Sequence, residues 1–221
     1  MTPNRNTIIF DLDGTLLDTL DDLTDSINHV MTQHHFPLHS REHVQQMVGN
    51  GIYNLFSQAI PDGSHNPDYD LCIQEFQAYY STHAQIKTAP FPGILKLLSD
   101  LKEEGYALGV VSNKFDSAVK KLCKNYFGDI ISVAIGQSQQ LARKPAPDMV
   151  LEAIRQLDAT QDTCIYVGDS DVDIETAKNS YIPCISVTWG FRSEAFLLAH
   201  SATFIASDSN ALYKHIRALS G

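Results

Sequence analysis

The sequence predicts an α/β protein: an open parallel sheet with helices on both faces, interrupted by an inserted all-helical domain. Three observations carry this expectation. Short apolar runs rich in β-branched residues recur along the chain, each followed by a helical pattern. From about Leu16 to Lys87 the alternation stops and only helical periodicity remains. The Pro/Gly-rich stretch APFPG at 89–93 then returns the chain to alternation. The expected boundaries are residues 1–15 and 88–221 for the sheet domain and 16–87 for the helical insert.

Thr7–Phe10, Tyr106–Val111, Ile130–Ile135, Thr163–Val167 and Cys184–Val187 are the expected strands, continuous and apolar as strands buried on both faces should be. Between them, GILKLLSDLKEEG sets Ile94, Leu97, Leu98 and Leu101 on one stripe and stops at Gly105, a C-terminal cap. APDMVLEAIRQL starts near Pro147 and turns Val150, Ala153, Ile154 and Leu157 inward. Inside the insert, LDDLTDSINHVM carries Leu20, Leu23, Ile27, Val30 and Met31. REHVQQMVGNGIYNLFSQAI is broken by Gly49-Asn50-Gly51, and DYDLCIQEFQAYYSTH supplies Leu71, Phe76, Tyr79 and Tyr80.

Composition narrows the function. With 221 residues and 43% of them hydrophobic, the chain is long enough for one large domain or two small ones. A net charge of −10 without a Lys/Arg-rich run argues against a nucleic-acid partner and against an anionic membrane surface. No run is long and apolar enough to span a bilayer, and the polar start MTPNRNT does not resemble a secretory leader. Cys72, Cys123, Cys164 and Cys184 are scattered, as expected of reduced, mostly buried thiols in a cytoplasmic protein. The histidines crowd the first part of the chain without metal-protease spacing, and read as ordinary helix residues.

In an open parallel sheet, ligands bind at the carboxyl ends of the strands. Three polar clusters fall there: Asp11 and Asp13; Ser112-Asn113-Lys114; and Asp169-Ser170-Asp171-Val172-Asp173. Arg143-Lys144-Pro145 precedes a helix. If the first strand continued past Phe10, Asp11 and Asp13 would point the same way. Two such charges about 4 Å apart at an effective dielectric near 20 repel by roughly 4 kcal/mol. Either a cation offsets this or one carboxyl stays protonated.

The segments DLDGTLLDT, VVSNK, RKPAPD and VGDSDVDIETAKN resemble, in order and spacing, the four signature motifs of the haloacid dehalogenase superfamily. The helical insert resembles that superfamily's C1-type cap, on a Rossmann-like core. The resemblance implies that Asp11 is a nucleophile that attacks a phosphate monoester, giving an aspartyl-phosphate that water hydrolyses. It implies Mg²⁺ held by the Asp11 and Asp169 carboxylates and the Asp13 backbone carbonyl. It also implies Asp13 as general acid and then base, a role that needs its pKa raised. Ser112, Asn113 and Lys144 would hold the phosphoryl oxygens, with Ser170 and Asp173 supporting them. In the cap, Gly49-Asn50-Gly51 would meet the leaving group through backbone N–H groups, and the cap would close over the site.

Within the superfamily, the chain most resembles phosphoglycolate phosphatases and their pyrophosphatase relatives, monomeric or weakly dimeric enzymes acting on a small phosphorylated metabolite. Three alternatives stay open: an inorganic pyrophosphatase, a sugar-phosphate mutase like β-phosphoglucomutase, and a non-catalytic binding protein. The mutase resemblance is weakened by Leu23, which stands where a cap histidine is expected.

Overall fold

A computed structural model describes residues 5–221. The first four residues of the polar start, and with them the outermost part of the expected 1–15 segment, lie outside the described residues. The chain runs through β1 (Thr7–Phe10), β2 (Leu17–Asp18), α1 (Leu20–Gln33), α2 (Arg41–Met47), α3 (Gly51–Ala59) and α4 (Tyr69–His83). It continues through β3 (Ala89–Pro90), α5 (Ile94–Glu103), β4 (Ala107–Phe115), α6 (Asp116–Phe127), β5 (Val133–Gln137) and α7 (Asp148–Gln156). Last come β6 (Cys164–Gly168), α8 (Asp171–Asn179), β7 (Cys184–Val187), α9 (Glu194–Ala199), β8 (Phe204–Ala206) and α10 (Ser209–Ser220).

Two compact units result. One runs to Leu17 and resumes as Pro90–Gly221; the other is Asp18–Ala89. The first holds a six-stranded sheet ordered β5-β4-β1-β6-β7-β8, with every neighbouring pair parallel. The central strand β1 shows why. Its residues alternate between the two faces, so Ile8 and Phe10 pack into one core cluster with Leu97, Leu98, Leu212 and Ile216 of α5 and α10. Ile9 joins the opposite cluster, with Met149, Val150 and Ala153 of α7 and Ala177 of α8. Helices on both faces therefore cover a strand that must be apolar throughout.

Several sequence expectations shift here. β4 does not stop at Val111 but carries Ser112, Asn113 and Lys114 within the strand, with a register irregularity against β5 between Val111 and Phe115. β5 begins at Val133 rather than Ile130. β8 was not anticipated; three residues, FIA, are too short to show periodicity. The α5 stripe is buried as expected, and Gly105 lies just beyond the helix with a φ of 87°.

Between its terminal strand residues Asp18 and Ala89, the regular structure of the second unit is helical. Leu20, Leu23, Ile27, Val30 and Met31 of α1 form its buried stripe. On α4 the buried face is Cys72, Ile73, Phe76 and Tyr80, so Leu71, expected inside, is exposed. Buried Asp22 closes the unit. Its carboxylate accepts the backbone N–H groups of Ile86, Lys87 and Thr88 at 2.9–3.1 Å and the Thr88 hydroxyl at 2.7 Å. These bonds tie α1 to the returning chain, and a carboxylate so buried is tolerated because donors surround it. No helix among the described residues is long and apolar enough to cross a membrane.

Candidate active site

Strand β1 delivers Asp11 to the carboxyl edge of the sheet, where its N–H donates to the Val167 carbonyl of β6 at 2.8 Å. The strand ends there. The Leu12 carbonyl accepts the N–H groups of Thr15, Leu16 and Leu17, which turns the chain sharply. Gly14 sits in this turn at a φ of +86°, and a Cβ on it would lie 2.4 Å from the Asp169 carboxylate. Glycine is required both by the backbone and by the neighbouring acid.

The strand ends before Asp13, so the alternation of a continued strand does not govern the Asp11 and Asp13 pair. Each meets its own cation. Lys144 donates to Asp11 Oδ1 at 2.7 Å, and Lys114 donates to both oxygens of Asp13 at 2.9 and 3.0 Å. The repulsion expected from the DxD spacing is thus answered by two ammonium groups.

Lys144, on the loop before α7, is buried and uses three donors: to Asp11, to Asp173 Oδ1 at 2.7 Å and to the Tyr166 hydroxyl at 3.0 Å. Asn113 Nδ2 donates to the Lys144 carbonyl at 3.0 Å, holding that loop against β4. Asp173 is saturated. Its second oxygen accepts the N–H groups of Asp169 and Ser170 and the Ser170 hydroxyl; the Ser170 N–H bond, with the Asp173 N–H donating back to the Ser170 hydroxyl, is the capping box that starts α8. Asp169, at the end of β6, accepts from the Thr15 hydroxyl at 3.2 Å and from the Phe191 N–H at 2.7 Å. Ser112 is buried on β4, its hydroxyl accepting the Lys114 N–H at 3.3 Å.

One carboxylate oxygen from each of Asp11, Asp169 and Asp173 lies within 4.8 Å of the others. Three carboxylates face one ammonium, Lys144. The two uncompensated negative charges, offered by oxygen atoms alone, suit a hard divalent cation. Since the acceptor positions of Asp173 are already filled, Asp11 and Asp169 are the better ligands. The Asp13 carboxylate lies outside this trio, on Lys114. The same excess charge shows in the proton affinities. Burial pushes the Asp11 carboxyl well above the usual range; Lys144 opposes this, and Asp173 and Asp169 add to it. Burial and then Asp173 push Asp169 up to about 7, against the bonds from Phe191 and Thr15. For Lys144 burial acts downward, but Asp11 and Asp173 outweigh it and hold the ammonium well above its ordinary value.

The structure therefore gathers Asp11, Asp13, Ser112, Asn113, Lys144, Asp169, Ser170 and Asp173 at one edge of the sheet. Gly49-Asn50-Gly51 lies in the helical unit, in the turn between α2 and α3, with Gly49 and Gly51 both at positive φ. Arg41, in the same unit, pairs with Asp21 and Asp18. Sequence reading missed Tyr166, Thr15 and the Phe191 N–H, and placed Lys114 in a polar cluster without giving it a role. Tyr166 had a signal, a hydroxyl in an otherwise apolar strand that must find a partner. The Phe191 contact had none, because every residue but proline carries the same donor.

The haloacid dehalogenase-like hydrolase family model matches residues 8–187, and the chain belongs to this family. Among its relatives, a phosphoglycolate phosphatase of Mesorhizobium japonicum is 30% identical over 196 residues, 85% of each chain. A phosphoglycolate phosphatase of Caulobacter vibrioides is 31% identical over 86% of this chain and 82% of its own. A pyrophosphatase of Bacillus mycoides is 26% identical over 98% and 99%. A crystal structure of a candidate phosphoglycolate phosphatase from Lactobacillus delbrueckii subsp. bulgaricus superposes with a TM-score of 0.92 at 36% identity, covering 96% of this chain and 98% of that one. The chain is a phosphatase of this hydrolase family.

Proposed function

We propose that the protein hydrolyses a small phosphate monoester with an acidic leaving group, phosphoglycolate foremost, through an aspartyl-phosphate on Asp11. The observation that carries this reading is the buried Asp11 carboxylate, fixed by Lys144 at the mouth of the sheet beside Asp169. Lys144 holds one Asp11 oxygen, which leaves the other to attack phosphorus in line with the departing oxygen. Asp13, once it turns from Lys114 and takes up a proton from solvent, hands that proton to the departing oxygen, then takes one from the water that cleaves the aspartyl-phosphate. The Ser112 hydroxyl, the Asn113 N–H and Lys144 stabilise the transferring phosphoryl oxygens. Asp173, Tyr166 and Ser170 keep Lys144 charged and aimed. Mg²⁺ held by Asp11, Asp169 and the Asp13 carbonyl would supply positive charge between nucleophile and phosphate. The Gly49-Asn50-Gly51 turn is the proposed substrate-contacting stretch of the helical unit. Four free cysteines support a reducing, cytoplasmic setting.

Phosphate release from phosphoglycolate, pyrophosphate, nucleotides and hexose 1-phosphates, with Mg²⁺ and with chelator, tests this. The expected result is Mg²⁺-dependent hydrolysis with phosphoglycolate preferred, at a kcat/KM of about 10⁴ M⁻¹s⁻¹ or more. A preference for pyrophosphate would select the pyrophosphatase reading. An isomerised sugar phosphate in place of free phosphate would make the protein a mutase, and no turnover of any substrate would refute the enzyme reading.

A further inference from the structure

Trp189 is the single tryptophan of the chain and follows β7 in the segment Thr188-Trp189-Gly190-Phe191. The proposed chemistry makes no use of it. Its ring packs against the core cluster that holds Ile8 and Phe10, with the Phe91 ring 6.5 Å away between centroids. Packing alone leaves the indole N–H in need of an acceptor. That N–H donates to the Thr15 carbonyl at 3.0 Å, across 174 residues of chain. Thr15 is buried, and its hydroxyl donates to Asp169 Oδ1 at 3.2 Å. Two residues beyond Trp189, the Phe191 N–H donates to Asp169 Oδ2 at 2.7 Å. One short segment therefore fixes both oxygens of Asp169, one through Thr15 and the other directly. Close approach completes the bracket. A Cβ on Gly190 would overlap the Asp169 side chain and the Gly14 carbonyl, and a Cβ on Gly14 would overlap the same carboxylate. Asp169 is thus packed against two glycine backbones.

The bracket has an electrostatic reason. Asp11, Asp169 and Asp173 crowd around one ammonium, Lys144, and repulsion among them would turn a freely rotating carboxylate away. A carboxylate already held in place loses no rotamer freedom when a cation arrives. We propose that Trp189 is a positioning residue of the cation site. Acting through Thr15, and together with the Phe191 N–H, it holds Asp169 in the orientation that shares a divalent cation with Asp11. Trp189 then governs affinity for the cation rather than for the phosphate ester. This inference rests on the proposed cation site at Asp11 and Asp169.

The test uses Mn²⁺ alone, which takes the same oxygen donors as Mg²⁺ and whose free form is counted by its paramagnetic resonance signal. It is titrated into wild type, Trp189→Phe, Thr15→Val, Thr15→Ser and the variant carrying both Trp189→Phe and Thr15→Val. Phenylalanine keeps an aromatic ring in the core without the N–H, and valine keeps the shape of threonine without the hydroxyl. Each of these two changes is expected to weaken Mn²⁺ binding by about ten- to a hundredfold. The double variant should lose no more than Thr15→Val alone, because Trp189 acts through Thr15. Thr15→Ser, which keeps the hydroxyl, should bind nearly as wild type does. Trp189→Phe should also need more Mg²⁺ for phosphoglycolate hydrolysis, with KM for the ester unchanged once Mg²⁺ saturates. Melting of the metal-free proteins separates positioning from packing. A Trp189→Phe variant that melts lower yet binds Mn²⁺ as wild type does would overturn the proposal, as would losses that add in the double variant. If wild type binds no Mn²⁺, or if binding survives Asp169→Asn, the cation site itself falls, and this inference with it.

Discussion

Asp11→Asn is expected to lose turnover by more than about a thousandfold while keeping the fold. The amide has nearly the shape of the carboxylate but no charge and little nucleophilicity. No other carboxylate can substitute, because Asp13 is taken by Lys114 and Asp173 is saturated by Lys144, Tyr166, Ser170 and the Asp169 N–H. Folding should survive because the change removes one of three acids crowded on Lys144, and burial already disfavours the charged form of Asp11. The metal-free variant is therefore expected to melt no lower than the wild type at neutral pH. Phosphate release and thermal unfolding measured on the same preparation check both halves. Turnover near that of the wild type would remove Asp11 from the chemistry.

The second large effect couples pH and metal. Asp169 holds its proton up to about 7 in the folded protein, against an ordinary value of 3.8, and Asp11 is shifted the same way. Between these limits the folded state binds more protons than the unfolded chain. Stability of the metal-free protein therefore falls as pH rises through this window, by roughly a few kcal/mol. A divalent cation binds the deprotonated carboxylates, so it should restore what alkaline pH removes. Calorimetry is expected to show Mg²⁺ raising the melting temperature by roughly 5–10 °C near pH 8, for a cation at about 100 times its dissociation constant, and hardly at all near pH 5. An equal shift at both pH values, or none at the higher one, would contradict the charge balance assigned to this cluster.

The parallel sheet was legible because strands buried on both faces must be apolar at every position, as Ile8, Ile9 and Phe10 are. The core of the site was legible for a related reason: Asp11 and Asp169 follow such strands, Ser112 follows the apolar run of a third, and a parallel sheet brings these positions to one edge. What stayed hidden depends on side-chain direction rather than spacing. The DxD pair would lie on one face only if the strand continued, and nothing in the spacing shows that each acid meets its own lysine. Lys114 sat in plain view beside Ser112, but nothing local says that its ammonium reaches back 101 residues to Asp13. Nothing in the spacing of Asp22 marks it as buried; the donors that bury it come from the returning segment at 86–88. Leu71 illustrates the reverse error, an apolar residue assigned inward when the neighbouring Cys72 and Ile73 hold that face of α4.

The central claim is that Asp11 carries the phosphoryl group during turnover. Protein mixed with Mg²⁺ and phosphoglycolate, quenched in acid during steady turnover and reduced with borohydride, should yield homoserine at position 11 in peptide mass spectra, since borohydride reduces an acyl phosphate but not a free carboxylate. Omitting substrate should abolish the signal. Full phosphate release with residue 11 unmodified, or the modification found at another acid, would contradict the account.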